Sequence, residues 1–238
     1  MRLERAVERL ASQGPVLLGI DFDGTLAPIV DHPDMARPDP AALKILRDLA
    51  AREAVEVAVV SGRSLGDLRE RLGEVPGATL VGEHGNDIGE HSEDDPVIGE
   101  ATEMIREIAA EAGGLTVETK TSSVTFHYRG LEDDEAEGYL RLIRDWAARR
   151  DDIHVMEGKK VIELSTATRN KGDAIRDLAA GRPMIYIGDD TTDESVFEVL
   201  GDRDIGVKVG EGPTAARYRV KDVPEVVAIL EKIALASR

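Results

Sequence analysis

Val16-Leu17-Leu18-Gly19-Ile20-Asp21-Phe22-Asp23-Gly24-Thr25 decides the fold. The apolar run 16–20, opened by Gly14-Pro15, reads as a strand buried on both faces, the kind found in parallel sheets covered by helices. Asp21 stands where that strand ends and Asp23 follows two residues on, with Gly24 permitting a tight turn and a close backbone approach to a ligand. Two carboxylates so placed readily share a hard cation. A calcium loop also spaces its acids, but its glycine and its twelfth-position glutamate are not where such a loop needs them.

Outward from this strand the same pattern repeats. Leu3, Val7 and Leu10 lie upstream at helical spacing. Downstream, Asp39-Pro40 supplies an N-cap and first-turn proline for a helix with Leu43, Leu46 and Leu49 on its face. Val55 to Val60 forms a second buried strand, and Ser61-Gly62-Arg63 follows its carboxyl end. Leu65, Leu68 and Leu72 mark another short helix, Thr79 to Gly82 another strand, and Met184 to Ile187 a further one before Gly188-Asp189-Asp190. The alternation predicts an α/β chain with a Rossmann-like, doubly wound parallel sheet, whose ligands bind beyond the carboxyl ends of the strands. The polar motifs occupy those ends.

Between residues 86 and 165 the rhythm changes to helix, strand, strand, twice over, with helices near 97–112 and 133–149. Val124, Phe126 and Tyr128 alternate with Ser123, Thr125, His127 and Arg129, and Ile162 and Leu164 alternate with Lys159, Val161 and Glu163. Connections at Thr121-Ser122 and Gly158-Lys159 suit hairpins. The expectation is a core domain from 1–85 and 166–238, with an inserted α+β cap at 86–165 that selects the substrate. The acidic stretch 90–95 reads as a solvated loop.

Composition narrows the chemistry. With 238 residues, 42% of them hydrophobic, the chain can bury a real core. A formal charge of −17 disfavours nucleic-acid and anionic-membrane partners, so an anionic substrate must meet a locally basic pocket. The absence of cysteine removes disulfides, thiolate metal sites and thiol nucleophiles. MRLERAVERLASQ lacks the apolar stretch of a signal peptide, and no run approaches the roughly 20 apolar residues of a membrane span. These features lead us to expect a soluble, cytoplasmic protein.

Gly188-Asp189-Asp190-Thr191-Thr192-Asp193-Glu194 brings more acid to the end of another buried strand, where repulsion is costly unless a divalent cation compensates it. Magnesium fits such oxygen donors. Asp190 or Thr191 also suits a helix N-cap, with Asp193 and Glu194 favoured by the helix dipole, but a cap does not explain Asp189 and Asp190 together.

With these motifs in order, and with Ser61 and Lys171 between them, the chain resembles the haloacid dehalogenase superfamily. The resemblance implies that fold, and a covalent route in which Asp21 attacks phosphorus. Asp23 then protonates the leaving sugar oxygen and later activates water against the aspartyl phosphate. It further implies Mg2+ held by Asp21, the Asp23 carbonyl and Asp189, with Asp190 and Asp193 orienting metal waters or Lys171. Ser61 would donate to the phosphate and Lys171 would supply charge.

A narrower set is Asp23 to Pro28, Ser61-Gly62-Arg63, Glu83-His84-Gly85, Lys120, Ser123, His127-Tyr128-Arg129, Gly158-Lys159, Glu163 and Asp189 to Glu194. Together these resemble the trehalose-6-phosphate phosphatases over nearly the whole chain. That resemblance implies a sugar phosphate substrate met from the cap by Lys120, His127, Arg129, Lys159 and Glu163, with Arg63, Glu83 and His84 lining the junction of the domains. It also implies functional coupling to a trehalose-phosphate synthase. The chain departs from the family with Ser165-Thr166 in place of an arginine-proline pair and with Phe22 where tyrosine is common. Other capped sugar phosphatases, acting on sucrose phosphate, mannosylphosphoglycerate or a hexose phosphate, would share the core motifs. A phosphomutase would capture phosphate at both ends of its ligand, and a non-catalytic phosphosugar sensor would be expected to lack Asp23 or another catalytic group.

Overall fold

Helix α1 (Leu3–Ala11) buries Ala6, Val7 and Leu10 and leads into β1 (Val16–Ile20), every residue of which is buried. The computed structural model describes residues 2–30, 32–88, 95–113, 115–158 and 160–237. Lys159 lies outside the described residues, as does the acidic stretch except for Asp95, while the hairpin expected at Gly158-Lys159 is present, with Gly158 paired antiparallel to Val161. Asp39 caps α2 (Pro40–Ala50), its carboxylate accepting from the N–H groups of Ala41 at 2.8 Å and Ala42 at 3.1 Å. There follow β2 (Val55–Val60), α3 (Leu65–Leu72) with Ser64 as its cap, β3 (Ala78–Gly82) and the short β4 (Asp87–Ile88).

The chain then passes through α4 (Pro96–Glu111), β5 (Thr116–Thr119), β6 (Ser123–His127), α5 (Asp133–Ala147), β7 (His154–Gly158) and β8 (Val161–Ser165). It returns as α6 (Lys171–Ala179), β9 (Met184–Gly188), α7 (Glu194–Val199), β10 (Ile205–Val209), β11 (Tyr218–Val220) and α8 (Val223–Ala236).

Two compact units result, residues 1–89 with 169–238 and residues 90–168. In the first, the described strands form a seven-stranded sheet in the order β11-β10-β9-β1-β2-β3-β4, parallel except for β4. Alternate residues of β1 serve opposite faces: Val16, Leu18 and Ile20 join Leu46, Leu49, Ile229 and Ile233, while Leu17 packs among Ile175, Tyr186 and Phe197. Helices on both faces explain why β1 shows no polar alternation.

The second unit is a four-stranded antiparallel sheet, β5-β6-β8-β7. Val124, Phe126, Ile162 and Leu164 form its core with Ile98, Ile105, Leu140 and Ile143. Removing one such side chain, Phe126→Ala for example, costs about 3–5 kcal/mol, because the packed surroundings collapse only partly into the cavity. Glu118, Thr125 and Glu163 lie abreast on the opposite face. The alternation read through Arg129 stops earlier: β6 ends at His127, and Tyr128 to Leu131 form a turn closed by Leu131 N–H donating to the Tyr128 carbonyl at 3.0 Å. Gly130 within that turn gives the chain room to leave the sheet.

The strand end where the family carries arginine-proline is fastened otherwise here. Ser165 Oγ donates to the Ser122 carbonyl at 3.0 Å, and Thr166 Oγ1 donates to Asp95 Oδ2 at 2.6 Å, tying β8 to the β5–β6 hairpin and to the cap of α4. Among the described residues, no helix is long and apolar enough to cross a membrane.

Candidate active site

The carboxyl ends of β1 and β9 lie side by side, with Asp21 N–H donating to the Ile187 carbonyl at 2.9 Å, so the acids that follow both strands meet. Carboxylate oxygens of Asp21, Asp189 and Asp193 lie within 4.8 Å of one another. Lys171, at the first position of α6 and 1% exposed, stands among them. Its Nζ donates to Asp21 Oδ1 at 2.7 Å and to Asp193 Oδ1 at 2.9 Å. Tyr186 O–H also donates to Asp193 Oδ1, at 2.6 Å, and Asp190 N–H donates to Asp193 Oδ2 at 3.0 Å. Both oxygens of Asp193 are therefore committed to the protein.

The carboxylate of Asp189 and the Oδ2 of Asp21 accept no hydrogen bond from a described residue. Burial pushes the Asp189 carboxyl up to about 6, aided by the negative charges of Asp193 and Asp190. Burial likewise raises Asp21 well above the ordinary carboxylate range, against the pull of Lys171. Burial alone would discharge Lys171, but Asp21, Asp193 and Asp190 outweigh it and hold its ammonium above the usual lysine value.

A divalent cation fits this donor set. Asp21 and Asp189 offer hard oxygens, the local charge is in negative excess, and the Gly24 turn closes on the Asp189 carboxylate so tightly that a Cβ at 24 would lie 1.9 Å from its Oδ2. The side chains of Asp23 and Asp190 are not part of the cluster. Asp190 is exposed, and its Oδ1 accepts from Thr192 N–H, Thr192 O–H and Asp193 N–H, which shapes the turn into α7. Lys208 of β10, a buried lysine that the sequence reading missed, donates to the backbone carbonyls of Asp189 and Asp190.

The loops after β2 and β3 are docked on each other. Glu83 N–H donates to the Arg63 carbonyl at 2.9 Å and His84 N–H to the Ser61 carbonyl at 3.0 Å. That turn needs two successive non-glycine residues at positive φ, Glu83 at 48° and His84 at 55°, a costly backbone that concentrates at functional sites. Gly62 leaves space for the His84 ring, since a Cβ there would lie 2.3 Å from Cε1. Asn86 then pairs with the backbone of Arg169, donating to its carbonyl at 2.8 Å and accepting its N–H at 3.0 Å, which ties this loop to the segment carrying Lys171.

Ser61 is buried, and its Oγ accepts from Arg63 N–H at 3.2 Å, so its own proton is available to a ligand. Arg63 takes both oxygens of Asp23, through Nε at 2.6 Å and Nη2 at 2.7 Å. Within the second unit, His127 Nε2 lies 3.3 Å from Glu118 Oε2, Lys120 Nζ 3.9 Å from Glu118 Oε1, and Thr125 O–H donates to Glu163 Oε2 at 3.0 Å. Arg129 sits exposed in the turn beyond β6. Glu118 was not singled out in the sequence, although it occupies the same face.

A family model described as trehalose-phosphatase matches residues 19–224. A trehalose-phosphate phosphatase of Mycobacterium marinum is 33% identical over 238 residues, covering 90% of this chain and 60% of its own length. A bifunctional trehalose-6-phosphate synthase/phosphatase of Thermoproteus tenax is 34% identical over 231 residues, covering 91% of this chain and 32% of its own. The solved trehalose-6-phosphate phosphatase of Aspergillus fumigatus superposes with a TM-score of 0.71 at 26% identity, over 98% of each chain. The chain thus spans less than two thirds of the curated relatives named here, but the matched segment runs from β1 into α8 and takes in both acidic loops, Ser61 and Lys171; the chain belongs to the trehalose-phosphatase family, with the capped haloacid dehalogenase fold.

Proposed function

We propose that the protein hydrolyses trehalose 6-phosphate to trehalose and phosphate through a phosphorylated Asp21, with Mg2+ held by Asp21, Asp189 and the Asp23 carbonyl. The observation that carries this reading is the buried Lys171, bonded at once to Asp21 and Asp193 beside an uncommitted Asp21 oxygen. Its ammonium orients the attacking carboxylate and draws the phosphate into an otherwise acidic site. Magnesium, when bound, supplies the charge that lets an anionic carboxylate approach an anionic phosphate.

Asp21 Oδ2 is the attacking oxygen, and the Ser61 proton is donated to the phosphoryl group. Asp23 delivers a proton to the departing sugar oxygen and then removes one from the water that opens the aspartyl phosphate. Both Asp23 oxygens are held by Arg63 in this conformation, so exchanging a proton requires one of those bonds to open. Asp193 and Tyr186 keep Lys171 in place, and Lys208 fixes the carbonyls of the β9 loop.

Residues 90–168 act as the substrate-selecting cap in this reading. A disaccharide presents many hydroxyls and one phosphate, and the face carrying Lys120, His127 and Glu163 offers matching donors and acceptors, with Arg129 and Lys159 as the remaining candidates. Arg63, Glu83 and His84 are the candidates from the core loops. A cytoplasmic pool of sugar phosphate and coupling to a trehalose-phosphate synthase belong to the same proposal; the Thermoproteus tenax relative bears both activities in its name.

The test is phosphate release with Mg2+ from trehalose 6-phosphate, sucrose 6-phosphate and glucose 6-phosphate in parallel. Preference for the first supports the full reading, equal rates on all three discard the substrate but keep the chemistry, and no release rejects both. Gly24→Ala tests the cation site separately. With φ at 74° and the Asp189 carboxylate in the way, an alanine should weaken Mg2+ binding at least tenfold by calorimetric titration. Unchanged affinity would remove Asp189 from the cation site.

A further inference from the structure

Asp67 and Arg71 lie one turn apart on the same face of α3, and Arg63 stands just before Ser64, the cap of that helix. Arg63 uses Nε and Nη2 for Asp23 and Nη1 for Asp67 Oδ2, at 2.6 Å. Its guanidinium carbon stands 5.3 Å from the centre of the buried Phe22 ring. Asp67 is in turn gripped through both oxygens by Arg71, from Nε at 2.7 Å and Nη2 at 2.6 Å. Arg71 is almost wholly buried, and its Nη1 reaches the carbonyls of Asp34 at 2.9 Å and Ala36 at 3.2 Å, in the segment that follows the first acidic motif. Asp23, Arg63, Asp67 and Arg71 thus alternate in a row that starts on Asp23 and ends on the segment 34–36, where the exposed Asp34 carboxylate also lies 3.7 Å from Arg71 Nη2.

We propose that Asp67 and Arg71 are positioning residues that hold Arg63 while Asp23 opens one of its two bonds to exchange a proton. The proposal rests on the reading of Asp23 given above. Asp67 gives the guanidinium an anchor that does not depend on the Asp23 carboxylate. With Nη1 anchored on Asp67 and the guanidinium carbon over the Phe22 ring, Arg63 stays put, and the released Asp23 oxygen returns to one orientation. Arg71 has the same relation to Asp67, since a bidentate pair fixes a plane where a lysine would fix only a distance. Misplacing a reacting group by about an ångström through a distant substitution can lower turnover by roughly a hundredfold, without the same loss in substrate binding.

Asp67→Asn keeps the size of the side chain and should lower kcat by about 10- to 100-fold with KM within about threefold, because both Asp67 oxygens are taken up by Arg63 and Arg71. Arg71→Lys should act in the same direction. The double variant Asp67→Asn with Arg63→Lys should be no slower than Arg63→Lys alone, since both changes break one chain of contacts. A purely structural role would instead lower the melting temperature and leave the kcat of the folded fraction untouched.

An arm that needs no turnover reads the Arg63 Nε–H resonance in protein labelled with 15N-arginine, assigned by its disappearance in Arg63→Lys. In Asp67→Asn, exchange of this proton with solvent should quicken at least tenfold. The proposal is overturned by a kcat within twofold of the unsubstituted protein, by additive effects in the double variant, or by an unchanged Arg63 exchange rate. Absence of phosphate release from the unsubstituted protein would reject the functional reading, while the exchange measurement would still decide whether Asp67 holds Arg63.

Discussion

Asp21→Asn should abolish the phosphate release proposed above, by about 10⁴-fold or more in kcat, while leaving the metal-free protein at least as stable as before. Activity is lost because an amide oxygen is a poor nucleophile. The stability follows from position: Asp21 is buried, burial raises its carboxyl well above the ordinary range, Asp193 and Asp189 raise it further, and Lys171 offsets this only in part. Removing that charge relieves repulsion, as expected where a functional group is kept at the expense of stability.

The pH dependence has a fixed sign. A carboxyl raised on folding contributes stability that is fully present below its unfolded pKa and is lost as pH rises through the folded one. For Asp189 the window runs from about 4 up to about 6. The metal-free protein should therefore melt at a lower temperature at pH 7 than at pH 5, by about 1 kcal/mol of stability at most once partial exposure is allowed for, and Mg2+ at pH 7 should reverse the loss. Calorimetry with and without chelator measures both. A melting temperature that falls sharply in Asp21→Asn would show that the charge of Asp21 supports the fold.

Lys171→Met has the opposite character and destroys both activity and stability. The ammonium is the buried cation bonded to Asp21 and Asp193, so its removal leaves two carboxylates facing each other out of water. Breaking such a group by removing one partner costs about 3–5 kcal/mol. For a chain of this size that lowers the melting temperature by about 10 °C. Combining Lys171→Met with Asp21→Asn should restore a good part of the lost stability and none of the activity. If the double variant melts where Lys171→Met alone does, the electrostatic account of the site fails.

The elements that could be read from the sequence were those whose burial is uniform. Val16–Ile20 and Val55–Val60 are apolar enough to be strands with no other information, and in the structure both sit in the middle of the sheet. β10 and β11 were not anticipated, because Lys208 interrupts one and the other is only three residues long. The acidic motifs could be recognised because like charges crowded at a strand end demand a reason. The groups that manage those charges could not. Lys208 and Tyr186 look like incidental polar residues in apolar strands, and only the pairing of β9 with β1 and β10 aims them at Asp189 and Asp193. A lysine inside the run Ile205–Val209 was nevertheless a usable signal, since a buried ammonium must find acceptors. The row from Asp23 to Arg71 was hidden for a different reason: its four-residue spacing is also that of ordinary surface ion pairs on a helix.

The place of β1, between β2 and β9, bears on how the molecule comes into being. Its pairing with β2 closes a short loop, whereas its pairing with β9 joins Asp21 to a lysine 150 residues further along the chain. Loop-closure entropy makes the second event the slower one. A refolding chain therefore passes through species in which β1 is an open apolar edge, prone to self-association, while the reactive carboxylate still lies in water beside no cation. The cluster of Asp21, Lys171 and Asp193 is complete only once the strand that covers that edge has paired, so on the proposed reading a half-assembled molecule should carry no activity.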